Sequence, residues 1–176
     1  NELLDADVTL VHGDLVVTGS AAPAQTYTTT VNNGTATPAD AVVEGTTVTI
    51  TADAAATGMV FDGWTVTAGG VTLADATAAT TTFTMGTEGV AVKATYKKVN
   101  YTVTICDEIT GGAITAAPTT ATMGDTVTIT LTPDSGKKLS KLYYTIDGDT
   151  TEYTINATLK TFTMPAANVE VHAEFA

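Results

Sequence analysis

Three side chains have the types needed for nucleophilic or metal chemistry: Cys106, His12 and His172. A catalytic thiol requires a nearby base and a lowered pKa, and neither histidine has a serine or cysteine beside it in the sequence. No cysteine–histidine spacing typical of a zinc site is present, and the single cysteine excludes an internal disulfide. The sequence therefore predicts no catalytic, cofactor-binding or metal-ligating set of residues. We expect a free thiol and a protein that is not an enzyme.

The segment Asp147-Gly148-Asp149 has two competing interpretations. Closely spaced carboxylates begin many calcium loops, because Ca²⁺ prefers several oxygen ligands. In this chain Thr158 occupies the twelfth loop position, where such a loop carries an acidic residue. An Asp-Gly pair between alternating strands is also a common hairpin turn, and the turn is our prediction.

The aromatic residues bear on sugar binding, since an exposed ring can stack on a sugar. The chain has eleven of them, and most fall at positions predicted to face inward. We expect Trp64 to lie in a core, whereas Tyr144 remains open to either interpretation.

Composition excludes several partners. Nineteen acidic residues against seven basic ones give a net charge of −12 and a pI near 4.2. Such a chain lacks the cations that bind nucleic acid, and an anionic membrane surface repels it. Its apolar runs are too short to span a bilayer, so we expect no membrane insertion. The chain begins at Asn1, which we interpret as the start of a mature or excised fragment.

Internal repetition organises the rest of the chain. Glu44-Gly-Thr-Thr-Val-Thr-Ile-Thr51 matches Met123-Gly-Asp-Thr-Val-Thr-Ile-Thr130, and Phe83-Thr-Met85 matches Phe162-Thr-Met164. Apolar residues alternate with threonines inside these segments, as in a strand with one buried face. We therefore predict an all-β fold with two modules, at residues 27–98 and 101–176. Residues 1–26 are predicted to form a β-hairpin and a linker.

The expected strands and cores follow from this alignment. The strands are predicted near 26–31, 43–52, 59–67, 71–84 and 89–97, and near 101–106, 122–132, 138–147, 151–163 and 168–176. The predicted cores contain Phe61, Trp64, Phe83 and Tyr96 in the first module, and Leu139, Leu142, Phe162 and Phe175 in the second.

The pattern Gly-x-x-Phe-x-x-Trp, followed by Phe-Thr-Met and an alternating Val-x-Val-x-Ala ending, resembles the divergent internalin-type B-repeat family, which is related to the Listeria–Bacteroides repeat. Its middle signature is Phe61-Asp-Gly-Trp64, and its C-terminal signature is Thr161-Phe-Thr-Met-Pro-Ala-Ala-Asn-Val-Glu-Val-His-Ala-Glu-Phe175. The second module has Leu142 in place of the tryptophan. The resemblance implies small β modules, either sandwich-like (Ig-like) or β-grasp-like, and it carries no catalytic residues.

The resemblance also implies a function and a place. We expect a non-catalytic tandem repeat region of a secreted or cell-surface bacterial protein, acting as a stalk, a spacer or an adhesion module. The alternative is an accessory carbohydrate-binding module of a larger extracellular glycosidase. The expected partner is a protein or glycan whose identity the sequence does not define. We expect a monomeric chain located outside the cell or attached to the cell wall.

Overall fold

A computed structural model describes residues 6–11, 14–19 and 23–176, and within these ranges every regular element is a β-strand. The strands of the N-terminal segment and the first repeat are β1 Ala6–Val11, β2 Asp14–Gly19, β3 Thr26–Tyr27, β4 Thr29–Asn32, β5 Gly34–Thr37, β6 Val42–Val43, β7 Thr47–Ala52, β8 Met59–Ala68, β9 Thr80–Thr84 and β10 Val90–Lys98. Those of the second repeat are β11 Asn100–Ile105, β12 Gly112–Ala117, β13 Thr120–Thr122, β14 Thr126–Pro133, β15 Leu139–Ile146, β16 Tyr153–Thr154, β17 Thr161–Thr163 and β18 Val169–Phe175.

The N-terminal segment contains the predicted hairpin. Strands β1 and β2 pair antiparallel, from Ala6 opposite Gly19 to Val11 opposite Asp14. His12 and residues 20–22 of the predicted linker lie outside the described residues.

The second repeat is a sandwich of two sheets. One sheet has the strand order β13-β11-β18-β15-β16 and the other has the order β12-β14-β17. Alternating residues from both sheets enclose one core, because successive side chains of a strand point to opposite faces. Its buried members are Val103, Ile114, Ala121, Val127, Ile129, Leu142, Ile155, Phe162, Met164, Val169, Val171 and Ala173. Of the two architectures left open by the sequence, this repeat adopts the sandwich.

The first repeat has the same strand connections, apart from β16, which has no counterpart among residues 24–100. Its sheets have the orders β4-β10-β8 and β5-β7-β9, and β3 pairs with β6 as the start of β11 pairs with β13. The parallel pairing of β4 with β10 corresponds to that of β11 with β18. Its buried apolar residues are Val42, Val48, Ile50, Trp64, Phe83, Met85, Val90, Val92 and Ala94. The all-β class and the two tandem modules are therefore confirmed.

The chain divides into two compact units whose bounds differ from those of the repeats. One unit comprises Asn1–Asp53 and Gly63–Ala94, and the other comprises Ala54–Asp62 and Thr95–Ala176. The beginning of β8, up to Asp62, and the end of β10, from Thr95, thus belong to the unit that contains the second repeat.

The predicted cores need one correction. Trp64 and Phe83 are buried, whereas Phe61 and Tyr96 are half-buried and belong to the other unit, where their rings meet edge to face at 6.1 Å. The reason is strand periodicity, since residues three apart, such as Phe61 and Trp64, point to opposite faces of a regular strand. In the second repeat Leu139 and Leu142 are also three apart, but the register shifts between Leu139 and Lys141, and both contribute to one core.

Some predicted strands are wrong in extent. The strand expected at 71–84 is limited to Thr80–Thr84, because Gly69 and Gly70 have positive φ angles and Asp75 caps a turn at Thr77. The strand expected at 151–163 is two short strands, β16 and β17. Strands β5 and β12 were missed because their small residues, Gly34–Thr37 and Gly112–Ala117, show little apolar alternation.

Candidate functional site

Several polar and reactive side chains of the second repeat lie together on the outer face of its five-stranded sheet. In the parallel pair of β11 and β18, Thr104 lies opposite Glu170 and Ile105 opposite Val171. The amide of Cys106 continues this ladder by donating a hydrogen bond to the carbonyl of Val171 at 3.0 Å. Side chains two apart share a face, so Cys106 lies on the face that carries Glu170 and His172.

Cys106, Glu170 and His172 form a cluster on this face. One ligand atom from each side chain lies within 4.8 Å of the other two. The Nε2 atom of His172 is 3.2 Å from Oε2 of Glu170. The His172 side chain is 19% exposed and that of Glu170 is 48% exposed, so solvent reaches the cluster. A thiol, an imidazole and a carboxylate at this spacing have the donor atoms of a transition-metal site.

Strand β15 fixes the imidazole from the other side. Tyr143 lies opposite His172 in the antiparallel pair, and the two rings stack with centroids 4.8 Å apart and an interplanar angle of 8°. The hydroxyl of Thr145 is 3.2 Å from Nε2 of His172. Burial raises the pKa of the Tyr143 phenol beside the imidazole.

Lys141 forms ion pairs with two acidic residues near the cluster. Nζ of Lys141 is 2.6 Å from Glu152 and 3.8 Å from Glu174, and it lies 4.5 Å from the centre of the Tyr143 ring. The hydrogen bond to Glu152 is the main cause of the raised pKa of Lys141. This group extends the polar face toward the end of β18.

A shallow depression of about 450 Å³ adjoins the cluster. Its lining is mostly polar and comprises Thr102, Thr104, Thr145, Ile146, Asp147, Gly148, Asp149, Asn168, Val169 and Glu170. The Asp147-Gly148 turn forms one wall: Gly148 has a φ of 77°, and the amide of Asp149 donates to the carbonyl of Ile146 at 2.8 Å. The turn predicted from the sequence is therefore present. The Asp149 carboxylate accepts hydrogen bonds from the amide and hydroxyl of Thr151, and these lower its pKa, the amide most.

Both repeats match one known protein family. The model of the family described as Divergent InlB B-repeat domain matches the chain twice, over residues 24–100 and 101–176. The chain belongs to this family. The resemblance found in the sequence is thereby confirmed. No curated protein and no solved structure matches the chain.

The B-repeat family is a repeat-domain family of bacterial surface proteins rather than a known catalytic family. No helix within the described residues of these B-repeats is long and apolar enough to cross a membrane.

The two B-repeats differ at the cluster. The register of β4 and β10 places Asn32, Ala91 and Lys93 where the second B-repeat has Cys106, Glu170 and His172. The first B-repeat therefore has the same parallel strands without the thiol, carboxylate and imidazole.

The aromatic candidates divide between the two faces of β15. Tyr144 points inward, where it stacks on Phe162 at 4.7 Å and on Tyr153 at 5.1 Å. Tyr143 points outward, but its ring is covered by His172. All eleven aromatic residues lie within the described part of these B-repeats, and each is buried or half-buried.

Sequence reasoning treated Cys106 and His172 separately and missed their neighbour Glu170. The available signal was a thiol at the end of the first strand and a Glu-x-His pattern on the last strand of the same B-repeat. That signal becomes informative only when the first and last strands are known to be parallel neighbours.

Proposed function

We propose that this chain is a spacer that carries mechanical tension in a secreted or cell-surface bacterial protein and holds a functional region away from the cell. Membership of the B-repeat family supports a tandem repeat module of surface proteins. The finer role rests on one structural observation, the pairing of the first and last strands within each repeat.

The first and last strands of each repeat are parallel neighbours. In the second repeat Val103, Thr104 and Ile105 of β11 lie opposite Val169, Glu170 and Val171 of β18. In the first repeat β3 and β4 together correspond to β11, and β4 pairs with β10 in the same way, from Thr29 opposite Val90 to Asn32 opposite Lys93. Parallel neighbours run in the same direction, so the chain enters a repeat at one end and leaves it at the other.

This geometry gives the second repeat a defined reach. Asn100 lies three residues before the first paired position of β11, and Phe175 lies six residues beyond the first paired position of β18. At about 3.3 Å per residue, the two ends are separated by roughly 30 Å along the strands. Tension applied to the ends loads the hydrogen bonds between β11 and β18 along the strands, so several bonds must break together.

The connection between the two repeats is short. Strand β10 ends at Lys98 and β11 begins at Asn100, so one residue separates them. The amide of that residue, Val99, donates a hydrogen bond to the carbonyl of Gly58 at 2.9 Å. A spacer that carries tension gains from such a connection, because a flexible linker would absorb extension first.

The aromatic residues favour the spacer over the carbohydrate-binding alternative. Sugar-binding surfaces present aromatic faces to solvent, whereas the outward-facing candidate, Tyr143, already stacks on His172. The depression beside it is lined by threonines and acidic residues and by no aromatic side chain.

Mechanical unfolding by single-molecule force spectroscopy tests this proposal. The full chain carries attachment cysteines at positions 100 and 176 in a Cys106→Ser background, so that force acts along β11 and β18. Unfolding of the second repeat should add roughly 240 Å of contour length.

The matched control moves one attachment point from position 100 to Lys138. Lys138 and Ala176 exchange two backbone hydrogen bonds of 2.9 Å, so force applied there separates β15 from β18 one pair at a time. We expect a clearly higher unfolding force for attachment at 100 and 176. An equal or lower force would contradict the spacer proposal.

A further inference from the structure

We propose that the second repeat binds a zinc ion through the Cys106 thiolate, a Glu170 carboxylate oxygen and the His172 imidazole. This site departs from the sequence expectation, which contained no metal ligand. The positions of the three side chains, their donor atoms and the contrast with the first repeat support this site.

The backbone places the three ligands before any metal arrives. Cys106 directly follows β11 and remains bonded to β18 through its amide, while Glu170 and His172 are two apart on β18. Strands β11 and β18 are inner strands of the sheet, because β13 pairs with β11 and β15 pairs with β18 on their other edges. The ligand positions are therefore held by backbone hydrogen bonds, and binding requires only side-chain rotations.

The distances are close to those of a zinc site. Zinc binds sulfur at about 2.3 Å and nitrogen or oxygen at about 2.0–2.2 Å, so tetrahedral ligand atoms lie roughly 3.3–3.8 Å apart. Nε2 of His172 and Oε2 of Glu170 are already 3.2 Å apart, and no pair among the three ligand atoms exceeds 4.8 Å. A movement of about 1 Å by the thiol or the carboxylate would bring the three ligand atoms to the separations found around one zinc ion.

The donor atoms select the class of ion. A thiolate and an imidazole suit zinc and its borderline-soft neighbours, whereas Ca²⁺ and Mg²⁺ prefer oxygen ligands alone. Three protein ligands leave the fourth tetrahedral position to water. The Thr145 hydroxyl lies 3.2 Å from the imidazole nitrogen and is placed to hydrogen-bond that water.

The imidazole is fixed by contacts outside the cluster. Tyr143 stacks on the ring of His172, which limits rotation of the imidazole. Lys141 is engaged by Glu152 and Glu174, so its positive charge is matched by carboxylates on the same face. Neighbouring residues that orient a ligand raise metal affinity, because less ordering is needed on binding.

The bound ion would connect the first strand of the repeat to the last. Cys106 follows β11, whereas Glu170 and His172 belong to β18. Zinc would therefore link the two strands proposed above to carry tension. This mechanical consequence rests on the proposed spacer function, but the metal site does not.

The first repeat supplies the substitutions for a test. It carries Asn32, Ala91 and Lys93 at the equivalent positions of the same fold. Glu170→Ala and His172→Lys therefore introduce residues that this backbone already accommodates, and Cys106→Ser keeps the size of the thiol.

Binding of Co²⁺ and Zn²⁺ to the untagged, reduced full chain is the experiment. Co²⁺ should bind once per chain and produce a thiolate-to-metal charge-transfer band, and Zn²⁺ should displace it. The band should be absent in Cys106→Ser. The affinity for Zn²⁺ should fall at least about 10-fold in Glu170→Ala and in His172→Lys.

Two further readouts complete the test. Saturating Zn²⁺ should slow the reaction of Cys106 with a thiol reagent and raise the unfolding temperature, and a chelator should reverse both effects. The controls are Glu88→Gln, at an exposed position of the first repeat, and His12→Gln; both should bind Zn²⁺ as the parent chain does. A missing thiolate band, or equal Zn²⁺ affinity in His172→Lys and the parent chain, would overturn the site. Neither result would bear on the force comparison that tests the spacer.

Discussion

Gly34 lies directly against the indole ring of Trp64. A β carbon at Gly34 would lie 2.9 Å from Cη2 of the ring and 2.5 Å from the carbonyl oxygen of Thr51. The ring is 6% exposed, and its Nε1 donates a hydrogen bond to the carbonyl of Ala78 at 3.1 Å. The core of the first repeat is thus closed by a large ring that fits over a residue without a side chain.

Replacement of this glycine should destabilise the first repeat. Gly34→Ala would force the backbone of Thr51 or the ring of Trp64 to move, and overpacking of this kind costs about 1–3 kcal/mol. The matched control is Gly86→Ala, where an added β carbon meets nothing within 4 Å. Fluorescence of Trp64, the one tryptophan of the chain, reports urea unfolding of this repeat. If both variants unfold at the same urea concentration, the close fit is wrong.

Removal of the ring should have a larger effect. Trp64→Ala leaves a cavity between Gly34 and the surrounding apolar residues, and we expect a loss of about 3–5 kcal/mol in the free energy of unfolding. Trp64→Phe fills most of the space and loses the hydrogen bond to Ala78, so its loss should be smaller. Circular dichroism during urea unfolding measures both variants. A loss below about 1 kcal/mol for Trp64→Ala would contradict the assigned core.

Local sequence patterns were sufficient to predict the strands in which every second residue is buried. Val48 and Ile50 in β7, and Val127 and Ile129 in β14, are fully or almost fully buried, as their alternation with threonine predicts. A strand of small residues such as Gly34–Thr37 lacks this signal, because it contributes few apolar side chains to the core. Alternation also cannot define the partner of a strand, so it gave no indication that Cys106 and His172 are neighbours.

Three aspartates should make the protein sensitive to acid. The carboxylates of Asp75, Asp125 and Asp149 each accept hydrogen bonds from a nearby threonine, and each pKa is lowered. The largest cause is the hydroxyl of Thr77 for Asp75, and the backbone N–H of Thr122 or Thr151 for the other two. A lowered folded-state pKa means that this stabilisation is fully present above the ordinary aspartate value of about 3.9 and is lost as pH falls through the folded value.

The corresponding test compares urea midpoints at about pH 6 and about pH 2. Replacing all three aspartates by asparagine keeps an oxygen acceptor but removes the titration, so the difference between the two midpoints should shrink. Glu108→Gln, at an exposed position, serves as the control and should leave the difference unchanged. An undiminished difference in the triple variant would show that other groups cause the acid sensitivity.

The separation of the two ends of one repeat tests the central claim most directly. Spin labels at Asn100→Cys and Ala176→Cys, in a Cys106→Ser background, allow this distance to be measured by pulsed electron paramagnetic resonance. Both positions are exposed. Parallel first and last strands predict a narrow distribution centred at roughly 30 Å. A distance of about 10 Å, as expected if the strands were antiparallel and both ends lay together, would contradict the opposite-end geometry and the spacer function that depends on it.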